Sequence, residues 1–318
     1  MRILVTGANG CIGSWVVKSL LERNLDVLIY DLDAVPARLR LIAPVEQVRR
    51  VAIETGAIED TARVKALVKD QGITHIVHLA AALMPVCQAQ PVLGGLVNVV
   101  GTLNVFEAAR DAGRAVRVVY ASSSAVWGPE EAYGSGKLTE QDPLKPATHY
   151  GIFKQANEGN ARIFFETHGI SSVGLRPWTV YGVGRDRGLT ADPTLAMKAL
   201  AMGKPFQIRL TGHMDLQYVP DVAEAFVRCL LATREGAHVF NLQGDVIRMD
   251  ELIALFERLR PDRAGLITAA GPQVPVAWRM DDAALRAFVP DLTKTPLAQG
   301  VAETLGQFEE LHKLGSLS

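Results

Sequence analysis

The chain has almost no net charge: 33 lysines and arginines stand against 34 aspartates and glutamates in 318 residues. No field draws it onto a polyanion, and with aromatics at 6% it has few platforms for stacking bases, so nucleic-acid binding is not expected. Cysteine is scarce as well. Cys11, Cys87 and Cys229 are odd in number, far apart and without the paired spacing of a zinc site; they read as reduced, partly buried thiols, and no metal is expected. No basic segment followed by an apolar signal region opens the sequence, and no apolar run approaches the roughly 20 residues that span a bilayer. A cytoplasmic protein without a membrane partner is the expectation. What is plentiful is core material: 48% of residues are hydrophobic, enough for one large or two modest domains.

The most informative stretch is Thr6-Gly7-Ala8-Asn9-Gly10-Cys11-Ile12-Gly13, directly behind the apolar run Ile3-Leu4-Val5. It reads as a strand ending in a glycine-rich turn that opens into a helix, the arrangement that holds a dinucleotide pyrophosphate on backbone N–H groups and a helix dipole. The helix is visible in the mostly apolar face formed by Cys11, Ile12, Trp15, Val16, Ser19, Leu20 and Glu22. A second strand, Val27 to Tyr30, ends at Asp31, about 20 residues beyond the motif, where an acid grips the adenosine ribose. Asp31, with Asp33, repels a 2'-phosphate, so NAD is expected rather than NADP. Arg38 or Arg40 folding back would accept that phosphate instead.

Strand-like segments at Val48 to Ile53, Ile73 to Leu79 and Val116 to Ala121 alternate with helical patterns at Thr61 to Asp70 and Val97 to Ala112. A helix from Tyr150 to His168 and a strand from Ser172 to Leu175 extend the series. This alternation predicts an α/β protein of Rossmann type, a doubly wound parallel sheet in residues 1–178 with its ligand over the carboxyl ends of the strands. Beyond Pro177 prolines punctuate shorter elements, with helices near Pro193 to Met202, Asp221 to Thr233, Asp250 to Arg258 and Pro296 to Leu314. Residues 179–318 read as a smaller C-terminal substrate-binding lobe, some segments of which return to the sheet.

Tyr150 and Lys154 stand four residues apart, on one face of a helix. A nearby ammonium stabilises phenolate, so Lys154 is expected to lower the Tyr150 pKa and make it a general base. The strand Val116 to Tyr120 runs into Ser122-Ser123-Ser124, placing hydroxyls at the end of a central strand.

With these pieces the sequence resembles the extended short-chain dehydrogenase/reductases, in the NAD-dependent epimerase/dehydratase branch. The resemblance covers roughly residues 1–233 and rests on several motifs. They are Thr6-Gly7-x-x-Gly10-x-x-Gly13, Asp31, His78-Leu79-Ala80-Ala81, Asn98-Val99-x-Gly101-Thr102 and Ser122-Ser123 before Val126-Trp127-Gly128. After these come Tyr150-x-x-x-Lys154, Arg176-Pro177 with Val180-Tyr181-Gly182, and Tyr218-Val219-Pro220-Asp221. It implies Ser123 as the catalytic hydroxyl, Tyr150 as general base and Lys154 as its activator. Gly7, Asn9, Gly10, Cys11, Ile12, Gly13, Asp31, Leu79, Ala80, Ala81 and Pro177 would contact the cofactor, and Asn98 would brace the strand beside it. The family's Gly-Asp-Ile segment over adenine is here Gly56-Ala57-Ile58, so Ala57 and Ile58 would serve partly through backbone. Helices 97–112 and 150–168 resemble a family dimer interface, which implies a homodimer.

Departures from the family pattern narrow the chemistry. Members that eliminate water or carbon dioxide carry acids after the catalytic hydroxyl, where this chain has Ser124 and Ala125. Sugar-nucleotide epimerases carry an asparagine and an Arg-Asp-Phe where this chain has Thr179 and Met214-Asp215-Leu216. Arg185, Arg187 and Arg209 are candidate replacements for the lost diphosphate clamp, and Ser124 and Thr179 candidate substrate contacts. The expected activity is hydride transfer between NAD and a secondary alcohol or ketone of a sugar-like or small polar molecule. The alternatives are a UDP-sugar 4-epimerase and an idle NAD-binding sensor, against which intact Ser123, Tyr150 and Lys154 argue.

Overall fold

Burial on two faces explains why the strands of the first half are near-continuous apolar runs. In the computed structural model, which describes residues 1–317 and leaves the Leu189 side chain undescribed, β1 (Arg2–Thr6) sends Ile3 and Val5 into one core and Leu4 into another. Alternate residues of β2 (Asp26–Asp31), β4 (His75–His78) and β5 (Arg117–Ala121) divide in the same way. With β3 (Ala52–Thr55), β6 (Ser172–Arg176) and β10 (Ala237–Asn241) they form a seven-stranded sheet, in the order β10-β6-β5-β4-β1-β2-β3 and parallel throughout. The chain reverses direction across the sheet between β1 and β4. In doubly wound sheets that reversal opens a crevice above the strand ends.

One face is covered by α1 (Cys11–Glu22) and α6 (Val219–Leu231), which pack on each other. The other carries α2 (Thr61–Asp70), α3 (Pro91–Asp111) and α4 (His149–His168). The remaining lobe holds β7 (Thr179–Tyr181), β9 (His213–Tyr218) and β11 (Asp245–Arg248) in one small sheet and β8 (Phe206–Ile208) with β12 (Ile267–Ala269) in another. Helices α5 (Asp192–Ala201), α7 (Met249–Leu259) and α8 (Leu297–Lys313) complete it.

Two expectations are corrected. The segment Val48 to Ile53 is not one strand: a helical turn, Val45–Arg49, follows Pro44, and the strand begins at Ala52. Val48 and Val51 lie against the core beside this turn, so their apolar signal did not come from a pleat. The second concerns apolar length. Helix α3 is 21 residues long and apolar enough to cross a membrane by length and composition, although no unbroken run suggested it. Asn98, Thr102 and Asn104 are buried in it, and it packs on α2 and α4, as a core helix does.

Beneath the strand ends Arg176 and Glu158 form a buried two-point ion pair, with Arg176 Nε and Nη2 at 2.8 and 2.7 Å from the two carboxylate oxygens. Ser122 donates to the same carboxylate at 2.5 Å, and the Arg176 guanidinium lies 4.7 Å from the centre of the Trp127 ring. Removing one partner strands a buried charge. Arg176→Met should therefore cost about 3–5 kcal/mol in urea unfolding, and the double variant with Glu158→Leu should cost less than the single one.

Candidate active site

A groove of about 1180 Å³ runs above the carboxyl ends of the strands, from the glycine turn past Tyr150 to the smaller lobe. Its floor is bare backbone. Gly7 has φ +67°, and a Cβ there would come within 2.5 Å of the Ala80 nitrogen; one on Gly13 would meet the Gly7 oxygen at 2.4 Å. Neither position tolerates a side chain, which is why the turn can lie flat between β1 and the segment after β4. Cys11 lines the same turn, but burial pushes its thiol up to about 12, so it is an inert space-filler.

Asp31 stands at the end of β2 and accepts the Asn9 backbone N–H at 2.8 Å and that of Leu32 at 2.8 Å. Arg38 does not fold back toward a ribose. Its Nη1 donates to the Asn9 carbonyl (2.6 Å), its Nε to the Gly184 carbonyl (2.9 Å) and its Nη2 to both Asp186 oxygens (2.7 and 2.9 Å). It clasps the glycine turn to the loop after β7. Sequence reasoning missed this role, because the partners lie 29 and 148 residues away.

A neutral histidine ties the strand ends together. The Thr102 hydroxyl donates to the Asn98 carbonyl (2.6 Å), so it must accept from His78 Nε2 (3.0 Å), leaving His78 Nδ1 to accept from Thr6 (2.7 Å). Burial holds the His78 pKa down to about 3. Asn98 sits in a π-helical turn, Leu96–Val100, and its Nδ2 donates to the Ala82 and Gly94 carbonyls at 3.0 Å each. It braces the groove from behind and does not line it.

Thr148 caps α4 by accepting the Gly151 N–H at 3.0 Å, and this fixes Tyr150 in the first turn. The Ser123 hydroxyl, two residues past the end of β5, accepts the Ala125 N–H at 3.1 Å and stands near enough to the Tyr150 phenol to lower its pKa. Lys154 lies one turn further along, buried, 5.5 Å from the Tyr150 ring centre, and its Nζ donates to the Ala121 carbonyl at 2.7 Å. Burial raises the Tyr150 pKa, with Ser123 and then Arg185 partly offsetting the rise. The expected lowering by Lys154 is therefore absent from the bare protein. Lys154 is itself held down to about 8 by burial.

Of the other expected site residues, Gly10, Ile12, Ile58, Leu79, Ala80, Ala81, Ser124, Pro177, Thr179, Arg185 and Arg187 all line the groove. Ala57 does not; its carbonyl accepts the Tyr30 hydroxyl at 2.9 Å. Arg209 does not either, being drawn to buried Asp192 by three hydrogen bonds of 2.7 to 2.9 Å. Met214, Asp215 and Leu216 are core residues. Trp178, Gln273, Val274 and Val276 form walls that sequence reasoning did not find; only prolines marked that segment.

A parallel sheet with a glycine turn at its switch point, and a serine, tyrosine and lysine gathered in the same groove, is the arrangement of a dinucleotide-dependent enzyme. The pattern of the NAD dependent epimerase/dehydratase family matches residues 3–243, and the chain belongs to that family. It is an NAD-dependent enzyme of the extended short-chain dehydrogenase/reductase type. It is similar to a UDP-glucuronate 4-epimerase of Arabidopsis thaliana, at 33% identity over 250 residues covering 72% of this chain and 51% of that one, about half its length. Among solved structures it resembles the UDP-glucose 4-epimerase of Thermus thermophilus in complex with NAD, with TM-score 0.82 and 27% identity over 97% of this chain and 99% of that one. It also resembles a partial consensus L-threonine 3-dehydrogenase, with TM-score 0.84 and 25% identity over 98% and 100% of the two chains.

Charging Lys154 opposes folding. Its pKa falls from 10.5 in the open chain to about 8 in the fold, so the penalty is complete below pH 8 and vanishes by about pH 10.5. Lys154→Met should accordingly raise the unfolding free energy of the cofactor-free protein at pH 7, by on the order of 1–3 kcal/mol. Urea titrations should show that gain shrinking between pH 8 and 10.5.

Proposed function

We propose that this enzyme transfers a hydride at a secondary alcohol or ketone of a sugar-like or small polar substrate, with Tyr150 as general base. The observation that carries this reading is the meeting of Ser123, Tyr150 and Lys154 in the groove that begins at the glycine turn. The turn and Asp31 fit a dinucleotide: the first leaves room for pyrophosphate against backbone, and the second offers a ribose an acceptor beside exposed Asp33. Bound NAD supplies the hydride acceptor and, when oxidised, a positive charge.

The chain's own part is proton handling and alignment. Tyr150 takes the carbinol proton in oxidation and returns it to the carbonyl in reduction. Burial pushes its pKa up, so the protonated phenol that the second direction needs is the favoured form. In the first, the Lys154 ammonium, 5.5 Å from the ring centre, lies where it can face the negative charge that the phenol takes on as NAD and substrate bind. Ser123 directs a hydrogen bond to the reacting oxygen, so that one lone pair faces Tyr150. With Ser124 and Ala125 in the positions after it, no acid stands ready to expel water or carbon dioxide.

The likeness to an L-threonine 3-dehydrogenase supports this first reading, whereas the likeness to a UDP-glucuronate 4-epimerase and a UDP-glucose 4-epimerase supports the second, a UDP-sugar 4-epimerase. Buried Met214, Asp215 and Leu216 weigh against it, because they offer no diphosphate clamp. A dehydrogenase should produce NADH absorbance with its alcohol, whereas an epimerase should purify with NAD retained and interconvert sugars without net NADH. In either case Tyr150→Phe should lower kcat by about 10²–10⁴ while NAD binding persists, and unchanged turnover would remove Tyr150 from the mechanism.

We also propose a homodimer through α3 and α4, where Val92, Leu96, Ile152 and Ile163 are exposed on the two helices. Sedimentation should give twice the chain mass, and Leu96→Glu combined with Ile152→Glu should reduce it to one.

A further inference from the structure

Between Arg176 and Thr179 the chain passes from the large sheet into a small one, leaving β6 and entering β7 across two residues, Pro177 and Trp178. The peptide plane that joins these two is gripped at both edges. Its carbonyl, that of Pro177, accepts the Ser124 N–H at 2.9 Å, and its N–H, that of Trp178, donates to Gln217 Oε1 at 3.1 Å. A trans peptide is rigid, so a shift at one edge is felt at the other. On the first side Ser124 directly follows Ser123 in the groove. On the second, the Trp178 indole donates to the Ala277 carbonyl at 2.7 Å, beside the wall formed by Val274 and Val276. One peptide plane therefore joins the turn of Ser123 to the far wall of the groove.

Gln217, the side chain at the second edge, comes from β9, is 3% exposed and does not line the groove. Its Nε2 donates to the Leu242 carbonyl and to Asp215 Oδ2, at 2.9 Å each, and Asp215 Oδ1 accepts the Gly244 N–H at 2.8 Å. The Leu242 carbonyl can only accept. The amide is thereby held one way round, with its oxygen toward Trp178. Asp215 is fully buried, and burial pushes its carboxyl up to about 7; the other charges felt there, Lys294 and Asp245, pair with each other at 2.7 Å. A second carboxyl at position 217 would meet an acceptor at Leu242 and another at Asp215, and would keep its own proton to satisfy them.

We infer that Gln217 is a positioning residue of the reacting centre: by holding the Trp178 N–H it sets the Ser123 hydroxyl against the Tyr150 phenol and against the wall that faces the substrate. This rests on the reading of Ser123 and Tyr150 as the reacting pair. Without Gln217 Oε1 the Trp178 N–H loses its acceptor, the plane turns to find another, and the Ser124 N–H follows it. A displacement of about 1 Å near a reacting group costs on the order of 100-fold in rate. Gln217→Met removes the amide at similar length. Gln217→Glu keeps an acceptor for Trp178, but holds the plane only while its other oxygen carries a proton.

The test uses the NAD-loaded full chain. In NMR of isotope-labelled tryptophan, the Trp178 backbone amide, assigned by its absence in Trp178→Phe, should be protected from hydrogen exchange, and at least about tenfold less so in Gln217→Met. In NMR of labelled tyrosine, the Tyr150 phenol, assigned with Tyr150→Phe, should titrate at higher pH in Gln217→Met, because Ser123 is what lowers it. L-threonine, UDP-glucose and UDP-glucuronate serve as assay substrates. On one that turns over, Gln217→Met should lower kcat about 10- to 100-fold while KM and the Kd for NAD change less than about threefold. Gln217→Glu should recover the wild-type rate and amide protection near about pH 6 and lose both by about pH 9. Equal protection of the Trp178 amide in all variants, or a Tyr150 titration unmoved by Gln217→Met, overturns the inference with or without turnover of these compounds. A Gln217→Glu variant as slow as Gln217→Met at the lower pH overturns it too, since Gln217 would then serve packing alone. Wild-type kcat in Gln217→Met beside an inactive Tyr150→Phe overturns it and leaves the base assignment standing. If Gln217→Met moves the titration and lowers kcat while Tyr150→Phe keeps its turnover, the positioning stands and the base assignment falls.

Discussion

Bare backbone against bare backbone is the contact on which the rest depends. The turn at Gly7 lies so close to Leu79 and Ala80, and Gly13 so close to Gly7 and Ala8, that neither glycine has room for a methyl group. That closeness sets how far α1 sits from the sheet and how wide the crevice opens where the strand order reverses. Thr6 and His78 then hold the two strand ends at the same height through one hydrogen bond. The position of every side chain in the groove is measured from that pair of strands.

The Tyr150 end of the groove is held by a second set of buried polar contacts, all reaching α4. Asn157 donates to the Asn98 carbonyl at 2.9 Å, which joins α4 to the π-helical turn of α3. One turn before it, Lys154 reaches the end of β5; one residue after it, Glu158 binds Arg176 of β6 and Ser122. Tyr150 is thus carried on a helix pinned to three neighbouring elements. Such rigidity is what the proposed base needs if it is to meet a carbinol at a fixed distance. The buried ions also explain why the neighbourhood is costly. Lys154 sits in a place that lowers its own basicity, where burial works against the charge it carries.

Much of this was legible in the residues. Strand–turn–helix patterning around Gly7, Gly10 and Gly13, the acid at Asp31 and the four-residue spacing of Tyr150 and Lys154 are local features, set by backbone sterics and helical pitch. Helix Thr61–Asp70 was read with the bounds it has. What failed depended on distant partners. Val48 looked like a pleat because its apolar neighbours could not be assigned without the β2 register that places Ala52 opposite Leu28. Arg209 looked available until Asp192 was seen beside it, and Arg38 looked free until the loop at Gly184 and Asp186 closed on it. Charge neutralisation of that kind leaves no trace in spacing.

Strand β10 has a consequence for how the protein is made. Residues 237–241 occupy the outer edge of the sheet beside β6, and residues 219–231 cover α1. A nascent chain that has emerged only through Arg176 therefore holds six strands, an unpaired edge and an uncovered helix. The nucleotide-binding half cannot finish folding during synthesis until the part of the smaller lobe between Thr179 and Tyr218 has already been made.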